Sequence, residues 1–352
     1  MKKSILSLLV FSFILCGCKN TTPLSNKEFC LDTIIQITLY DSSSKNILNN
    51  CFDLCKKYER IFSANNKKSE LYKINHSSNK LEAQELSDDL YKVIKQGLYY
   101  SDLSKGSFDI TIGSISSLWD FKKHTLPEDP LIQQHLHDVS YKNIILENHK
   151  IRFLNTETMI DLGAIAKGYI ADQIKNYLLK ENVKSALINL GGNILCVGKK
   201  QENPFIIGVT NPQQTSDSLF SLKINDLSVV TSGTYQRFFE IDSKRYHHIL
   251  NPKTGYSYEN GLSSVTIISK KSIQGDALST VCFSLGKEKG LELLNSLEGV
   301  SGCFIDENNQ VSYAAFQHGL PFPSQVSSCI LMLCLIFFAF TTMNTFRIIN
   351  MC

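Results

Sequence analysis

The spacing of apolar residues changes along the chain between the period of a strand and the period of a helix, and this change restricts the possible folds most. Residues 29–40 alternate as a strand, with Ile35 and Ile37 on the apolar face. Residues 46–62 then carry apolar side chains at helical spacing, and residues 86–103 predict a second amphipathic helix. The first third of the chain therefore needs both kinds of element.

Beyond residue 140, short strands alternate with helices. The predicted strands lie at residues 142–146, 150–153, 186–190, 205–209, 228–231 and 264–268. The predicted helices lie at residues 164–180, 276–285 and 287–294. Such a mixture predicts an α+β fold with mixed sheets and flanking helices. Two long connections, residues 122–140 and 210–221, are candidate lids or insertions.

The composition excludes several classes of protein. Among 352 residues, 36 Lys and Arg oppose 33 Asp and Glu, which gives a net charge of +3, and 43% of the residues are hydrophobic. A chain this apolar is not a disordered tail, and its dispersed basic residues exclude a nucleic-acid binder. The 11 cysteines include no C-x-x-C pair, so neither a zinc site nor a redox dithiol is predicted. Cys51 and Cys55 are predicted to pack on one helix face.

The first residues have the pattern of a secretory signal peptide. Two lysines follow Met1, residues 5–15 are almost wholly apolar, and the LCGC run that ends at Cys18 resembles a bacterial lipobox. We predict that residues 1–17 are removed and that Cys18 carries a lipid such as palmitate, with an uncleaved signal anchor as the alternative. In both cases the domain lies outside the cytoplasm at a bacterial membrane, facing the periplasm or the cell exterior.

The other end of the chain is also apolar. Residues 326–345 carry no charge, which is marginal for a membrane-spanning helix of ~20 residues. A second anchor and an atypical extension both remain open. We assign residues 18–28 to a linker, residues 29–323 to the folded domain and residues 324–352 to a hydrophobic tail.

Three glycine-containing stretches are typical of turns or phosphate-binding loops. Residues 161–169, DLGAIAKGY, follow a predicted strand and open a helix, where backbone N–H groups and Lys167 can hold phosphate oxygens. A purely structural turn is the alternative. Residues 189–193 and 231–235 are predicted to be tight turns.

A histidine pair precedes an Asn-Pro-Lys-Thr-Gly turn at residues 251–255. Neighbouring side chains of a strand point to opposite faces, so only one of His247 and His248 can face a given pocket. That residue can move a proton near neutral pH. A structural histidine is the alternative.

Asp276 and Thr280 lie four residues apart at the predicted start of a helix. Their carboxylate and hydroxyl oxygens would share one helix face, an arrangement that suits Mg²⁺ with water and phosphate as further ligands. A helix cap with a satisfied hydroxyl is the alternative.

Taken together, these stretches resemble the ApbE family, the FAD:protein FMN transferases. The motifs follow in the family's order: SFDITIG at 107–113 with LWDF at 118–121, residues 161–172, Gly191-Gly192, TSG at 231–233, residues 248–255 and GDALST at 275–280. The likeness runs from about residue 29 to about residue 317.

The resemblance implies a T-fold-related flavin transferase architecture and an enzyme that uses Mg²⁺. Such an enzyme takes FAD as its substrate and attaches FMN through a phosphoester to a Thr or Ser of an acceptor protein, releasing AMP. The implied acceptor carries a Ser/Thr-Gly-Ala-Thr-type segment and is a subunit of a redox pump. Family members are secreted and often lipid-anchored, in agreement with the predicted lipobox.

The resemblance also assigns roles to residues. The implied Mg²⁺ ligands are the Ala164 carbonyl, Asp276 and Thr280, and His248 occupies the position of the reactive histidine. The implied contacts with the flavin nucleotide are Leu31, Ser107, Phe108, Asp109, Asp161, Lys167 and Leu250. In this mechanism Mg²⁺ and Lys167 neutralise charge on the pyrophosphate, while His248 removes the proton of the acceptor hydroxyl.

One residue departs from the family pattern. Asn251 stands where many members have Asp, so an orientation of His248 by that side chain would be weaker here. Three functions stay open: the transferase, a Mg²⁺-dependent FAD pyrophosphatase that gives FMN and AMP, and a non-catalytic flavin-binding lipoprotein.

Overall fold

The computed structural model describes residues 22–314. Its strands are β1 (Leu24–Cys30), β2 (Thr33–Leu39), β3 (Gln84–Glu85), β4 (Ile144–Glu147), β5 (Lys150–Phe153), β6 (Ser185–Leu190), β7 (Asn193–Gly198), β8 (Phe205–Asn211), β9 (Gln214–Ile224), β10 (Ser228–Gly233), β11 (Phe238–Ile241), β12 (Lys244–His247), β13 (Leu262–Ser269), β14 (Val300–Asp306) and β15 (Val311–Ala314). Its α-helices are α1 (Lys45–Phe62), α2 (Glu70–Asn75), α3 (Asp88–Leu103), α4 (Gly113–Ser116), α5 (Asp129–Leu136), α6 (Ala166–Lys180), α7 (Ser272–Leu285) and α8 (Lys287–Asn295). The predicted α+β class is confirmed.

One large sheet carries the fold. Its eight strands follow the order β1-β2-β6-β7-β10-β13-β14-β15, and every neighbouring pair is antiparallel. On one face Ile35 and Ile37 of β2 are fully buried in a core shared with α1, α6 and α7. On the other face Val229 and Ile268 pack against the hairpin of β8 and β9. The central strands are therefore buried on both sides.

The predicted helices near the N-terminus are confirmed to within two residues. Ser44 caps α1 by accepting the Ile47 N–H, and Ser87 caps α3 by accepting the Leu90 N–H. The α3 helix begins at residue 88 because of the Ser87 cap, two residues after the predicted start. Cys51 and Cys55 are fully buried on α1, as predicted. The six cysteines in the described part of the chain are all buried and free.

Some predicted loops are regular elements. Residues 210–221 belong mostly to the hairpin of β8 and β9. The first half of β9 is exposed and polar, which hides the period of a strand. Residues 231–233 complete β10 and the turn begins at residue 234, so the turn predicted at 231–235 is confirmed only in its last two residues. The connection over residues 122–140 contains α5.

The start of α7 also differs from the prediction. The helix begins at Ser272, one turn before Asp276. Its N-terminus has no local side-chain cap, but Asp172 of α6 accepts the backbone N–H groups of Ser272 (2.8 Å) and Ile273 (3.0 Å). Because Asp276 lies inside the helix, its interpretation as a helix cap is wrong.

The predictions for the two ends of the chain are tested only in part by the described residues. Strand β1 begins at Leu24, so residues 24–28, which the sequence assigned to a linker, pair with β2. The predicted signal peptide with Cys18 and the apolar stretch at residues 326–345 lie outside the described residues. Within residues 22–314 no helix combines the length and the hydropathy needed to cross a membrane.

The turns of the large sheet meet at one end. The β1–β2 turn and the β6–β7 turn are adjacent, because Ile35 of β2 pairs with Leu190 of β6. Gly191 and Gly192 both have positive φ, +67° and +93°, which the two-residue β6–β7 turn requires. A Cβ atom at residue 191 would lie 2.4 Å from the Thr33 hydroxyl, so the two turns are in contact.

Candidate active site

The two predicted oxygen ligands of α7 are held by neighbouring elements. Asp276 is 4% exposed, and the Gly168 N–H of α6 donates to its Oδ2 at 2.8 Å. Thr280 is partly exposed, and its Oγ1 lies 3.0 Å from the Ser232 hydroxyl of β10. One helical turn separates Asp276 from Thr280, so the two side chains share a face of α7.

The first turn of α6 is arranged around Asp276. In an uninterrupted helix the Gly168 N–H would donate to the carbonyl four residues earlier, that of Ala164. Here it donates to Asp276, and no hydrogen bond within residues 22–314 reaches the Ala164 carbonyl. A Cβ atom at residue 168 would lie 2.4 Å from the Ser272 carbonyl oxygen, so glycine allows the close approach of α6 to α7. The Ala164 carbonyl is left for another partner.

The Asp276 carboxylate is in an environment that favours a bound cation. Burial raises the pKa of the carboxyl, while the charge of Lys167, the Gly168 N–H and the Asn193 side chain lower it. A buried carboxylate needs compensating positive charge. Residues 22–314 contain no cluster of three His, Cys, Asp or Glu side chains that would hold a metal ion. The predicted set has one such side chain, so it depends on a hydroxyl, a carbonyl and further oxygen ligands, which suits Mg²⁺.

His248 follows β12 at the same site. It is partly exposed, and its Nδ1 lies 3.3 Å from the Arg237 carbonyl oxygen. Because a carbonyl only accepts, this contact assigns the proton to Nδ1 and leaves Nε2 as the free base. Although part of the residue is exposed, desolvation of the imidazole by the surrounding protein, together with the positive charges of Lys167 and Arg237, lowers the pKa of His248 to about 3. The imidazole is neutral at pH 7 and able to accept a proton.

His247 has a structural role. It is 4% exposed, its Nε2 lies 2.9 Å from the Tyr258 carbonyl oxygen, and its Nδ1 accepts the Ile249 N–H at 3.3 Å. Its ring stands edge-on to Phe283, with 5.9 Å between the ring centroids. Both ring nitrogens are thus used inside the protein, and His248 alone of the pair is available for chemistry.

Asn251 fixes the turn after His248 and does not orient the imidazole. Its Oδ1 accepts the Lys253 N–H at 2.9 Å, and its backbone carbonyl accepts the Gly255 N–H at 2.8 Å. This is an Asx turn, which Asn and Asp side chains form equally well. The Arg237 carbonyl orients His248. The presence of Asn251 in place of Asp therefore does not change the orientation of the imidazole.

Replacing Asn251 by Asp is therefore expected to change kcat/KM by no more than about twofold, since the carboxylate keeps the same turn. Steady-state kinetics on the purified variant would measure this. The Asn251→Ala variant is the contrast, because it loses the turn acceptor and should show a lower Tm. A tenfold gain in kcat for the Asn251→Asp variant would contradict the assignment and would mean that a carboxylate at this position acts on His248.

The 107–109 loop is anchored by its own polar groups. Asp109 is 6% exposed, and its carboxylate accepts from the Thr111 N–H (2.8 Å), the Thr111 hydroxyl (2.6 Å) and the Tyr141 N–H (2.8 Å). Burial raises the pKa of Asp109, and these hydrogen bonds oppose the rise. Phe108 is buried in the main core, and the Ser107 carbonyl accepts the Tyr258 hydroxyl at 2.7 Å. The described contacts of Asp109 are structural, and its contact with a flavin stays a prediction.

Asp161 contacts the residue that follows this loop, whereas Leu250 lies in a separate small core. The Asp161 N–H donates to the Ile110 carbonyl at 2.7 Å, while its side chain accepts the Gly163 N–H and the Ser116 hydroxyl, both at 2.8 Å. Leu250 is buried in a small core with Trp119 and bridges to Ser257 in an antiparallel pair. Both residues therefore shape the loops at the site, and their contacts with FAD stay predictions.

The β1–β2 turn reaches the site through Asp32. Leu31 and Asp32 have φ angles of 56° and 57°, in the region that favours glycine. Glu59 accepts the Leu31 N–H at 2.9 Å, and Arg237 binds the Asp32 carbonyl (2.8 Å) and carboxylate (3.2 Å). Lys122 makes a second ion pair with Asp32. The strained turn thus contacts Arg237, and the Arg237 carbonyl in turn contacts His248.

The structure joins the predicted motifs into one region. Lys167 is close enough to affect the pKa of both Asp276 and His248. The turns described above connect Asp276 and His248 to four further predicted residues: Leu31, Ser107, Asp161 and Leu250. Sequence reasoning missed four residues that support the site: Asp172, Asn193, Arg237 and Tyr258. Their contacts are long-range. Asp172 and Asn193 each end a stretch named in the sequence, residues 161–172 and 189–193, and the TSG motif ends four residues before Arg237, but the sequence assigned none of them a role.

Comparison with known proteins identifies close relatives. The model of the ApbE family matches residues 31–304. The chain is 38% identical over 282 residues to the FAD:protein FMN transferase of Klebsiella pneumoniae. The aligned region covers 79% of this chain and 87% of the relative. It is 31% identical over 314 residues to the FAD:protein FMN transferase of Treponema pallidum. That aligned region covers 83% of this chain and 86% of the relative.

Solved structures agree with the fold. The crystal structure of the ApbE protein from Thermotoga maritima superimposes with a TM-score of 0.76 at 29% identity, over 83% of this chain and 97% of that chain. The flavin transferase ApbE from Vibrio cholerae superimposes with a TM-score of 0.74 at 22% identity, over 84% and 97%. At that identity the second likeness concerns the fold alone.

Proposed function

The chain belongs to the ApbE family, and from this premise we propose that it transfers FMN from FAD to a Ser or Thr hydroxyl of an acceptor protein, releasing AMP. The observation that carries the proposal is that Gly168, the residue next to Lys167, holds the buried Asp276 carboxylate through its N–H at 2.8 Å, while the charge of Lys167 acts on both Asp276 and His248. A positive charge for the pyrophosphate, a cation ligand and a base are thus present at one place. Relatives named FAD:protein FMN transferase support the same reaction.

We propose that Mg²⁺ is held by the Asp276 carboxylate, the Thr280 hydroxyl and the Ala164 carbonyl. Three features of the structure support this set: the burial of the carboxylate, the shared helix face of Asp276 and Thr280, and the Ala164 carbonyl without a hydrogen bond among the described residues. When bound there, Mg²⁺ would neutralise charge that develops on the phosphate oxygens.

The reaction breaks the phosphoanhydride bond of FAD and forms a phosphoester bond to the acceptor. The acceptor hydroxyl oxygen forms a bond to the phosphorus of the FMN half of FAD. The bond from that phosphorus to the bridging oxygen breaks, and its electron pair leaves on the phosphate of AMP. Lys167 stabilises the negative charge that accumulates on these oxygens.

His248 takes the proton of the acceptor hydroxyl. A neutral Ser or Thr is a poor nucleophile, and general base catalysis supplies about 10²–10⁴ in rate. The Nε2 atom is the free base, because Nδ1 faces the Arg237 carbonyl. A carboxylate that binds a cation is a poor proton acceptor, so Asp276 cannot serve as the base.

The pKa of His248 predicts the pH dependence of the reaction. Deprotonated His248 is the active form, so activity falls only when the pH drops through its pKa, which is about 3 in the free protein. Between pH 7 and pH 5, kcat/KM is expected to change by no more than about twofold. Bound FAD brings negative charge to Lys167 and Arg237, which raises the pKa of His248, so kcat should fall at higher pH than kcat/KM.

Initial rates at saturating Mg²⁺ and varied FAD would give both pH profiles. A tenfold loss of kcat/KM per pH unit that starts near pH 6.5 would contradict the prediction, because it would mean that His248 has its ordinary pKa in the free protein.

An acceptor assay tests the proposed function. The purified chain would be incubated with FAD, Mg²⁺ and a small domain that carries a Ser/Thr-Gly-Ala-Thr segment, and the matched control domain would carry Ala at the acceptor position. A fluorescent acceptor band with release of AMP supports the transferase. AMP without the band supports the FAD pyrophosphatase, and bound FAD without AMP supports a non-catalytic flavin carrier. Either of the last two results refutes the transferase.

We also propose that the enzyme acts at the outer side of a bacterial membrane, on a subunit of a redox pump. The lipobox that ends at Cys18 and the short stretch between it and β1 support this location. A Cys18→Ala variant should leave the membrane fraction on cell fractionation if the lipid is its anchor. Retention in that fraction would favour the uncleaved signal anchor or the apolar tail.

A further inference from the structure

A buried amide with an unpaired donor lies beside the proposed cation site. Asn193 begins β7 directly after the Gly191–Gly192 turn and is 1% exposed. Its Oδ1 accepts the Ser272 hydroxyl at 2.7 Å. Within the described part of the chain its Nδ2 makes no hydrogen bond of full geometry, and it approaches the Asp276 carboxylate without forming one. A buried donor without a partner is costly, so its retention at this position calls for an explanation.

The orientation of this amide is fixed by a chain of hydroxyls. Ser228 of β10 donates to the Ser272 hydroxyl at 2.9 Å, and Ser272 in turn donates to Asn193 Oδ1. Because the carbonyl end of the amide faces Ser272, the NH₂ group must point to the other side. Ser272 starts α7, so the amide is held against the first turn of that helix.

Asp276 is the acidic group on this side of α7. Ser272 and Asp276 are four residues apart in the helix and therefore share a face. Asn193 contacts the Ser272 hydroxyl at 2.7 Å, one helical turn before Asp276 on this face, so the Asn193 amide lies beside the carboxylate. This position agrees with a lowering of the pKa of Asp276 by Asn193, against the effect of burial. The Gly168 N–H already holds one carboxylate oxygen from α6, and Asn193 approaches from the sheet. The carboxylate thus has donors from two directions.

We propose that Asn193 is a positioning residue, whose Nδ2 group fixes the orientation of the Asp276 carboxylate for a divalent cation. This inference rests on the cation site of the proposed function. It also explains the sequence: the two glycines make the turn, and the residue after them is a buried Asn because its amide serves the carboxylate. Groups that orient a metal ligand in this way contribute about 10–100-fold to metal affinity.

A Mn²⁺-binding assay tests the role of Asn193 without any acceptor protein. Binding is measured as the loss of the electron paramagnetic resonance signal of the free ion. In the presence of FAD, Asn193→Leu should raise the Kd for Mn²⁺ by about tenfold or more, since leucine keeps the volume and removes the donor. The Mg²⁺ concentration for half-maximal AMP release should rise in parallel, and kcat at saturating Mg²⁺ should largely recover. The control Ser301→Ala, which removes another fully buried and unpaired polar group, should leave the Kd unchanged.

A folded Asn193→Leu variant with wild-type Kd for Mn²⁺ would overturn the inference. If that variant does not fold, Ser272→Ala provides a second test, because it releases the amide and should raise the Kd several-fold; an unchanged Kd again overturns it. Failure of the proposed function is a separate result, seen as a wild-type chain that binds Mn²⁺ through Asp276 but labels no acceptor. A wild-type chain that binds no Mn²⁺ in the presence of FAD would also overturn the inference.

Discussion

Replacing Asp276 by Ala is expected to lower the rate of AMP release from FAD by at least about a thousandfold, because a bound metal ion supplies several kcal/mol of transition-state stabilisation. The variant removes the one carboxylate of the proposed cation site. It also leaves the Gly168 N–H without its acceptor. Release of AMP, measured by chromatography at saturating FAD and at several Mg²⁺ concentrations, would give the effect.

The Asp276→Asn variant separates charge from structure. Its amide oxygen can still accept the Gly168 N–H, and its volume is nearly unchanged, so the contact between α6 and α7 is kept. If the carboxylate acts by holding a cation, this variant should be nearly as inactive as Asp276→Ala while keeping a wild-type Tm. Substantial activity in Asp276→Asn would mean that the residue only joins two helices.

Replacing His248 by Ala is expected to lower kcat for FMN transfer by about 10²–10⁴, the range supplied by a general base. The affinity for FAD should stay within about threefold, because a base contributes to the transition state more than to substrate binding. Added imidazole should restore part of the activity of this variant. Stopped assays for the flavinylated acceptor, together with FAD titrations, would measure both quantities.

The neighbouring His247 provides the matched control for this prediction. Its two ring nitrogens are bonded inside the protein, so His247→Ala should lower the Tm, and imidazole should not restore its activity. A His248→Ala variant with unchanged kcat and a raised KM would contradict the role of base. It would instead indicate that the imidazole only contacts the substrate.

The fold was predictable where the apolar period is strong. Ile35 and Ile37 are fully buried as the alternation in β2 predicts, and α1 follows its helical spacing closely. The strand β9 was missed because its first half is polar and exposed, so its pairing with β8 has no local signal. The start of α7 was misplaced for a related reason: its cap is Asp172, one hundred residues away from Ser272 in the chain.

The candidate site was predictable through the motifs and not through the contacts between them. The motifs indicated Asp276, Thr280 and His248, since their spacing and residue types carry chemistry. No pattern in the sequence could show that the Arg237 carbonyl faces His248, or that Asn193 lies beside Asp276. These relations arise when the turns of the large sheet meet the first turns of α6 and α7.

Anomalous scattering from a crystal grown with Mn²⁺ and FAD would test the central claim most directly. We expect one strong anomalous peak within ligand distance of the Asp276 carboxylate, the Thr280 hydroxyl and the Ala164 carbonyl, with the pyrophosphate of FAD as a further ligand. A peak elsewhere, or an ordered FAD with no peak beside Asp276, would contradict the proposed role of these residues in breaking the pyrophosphate.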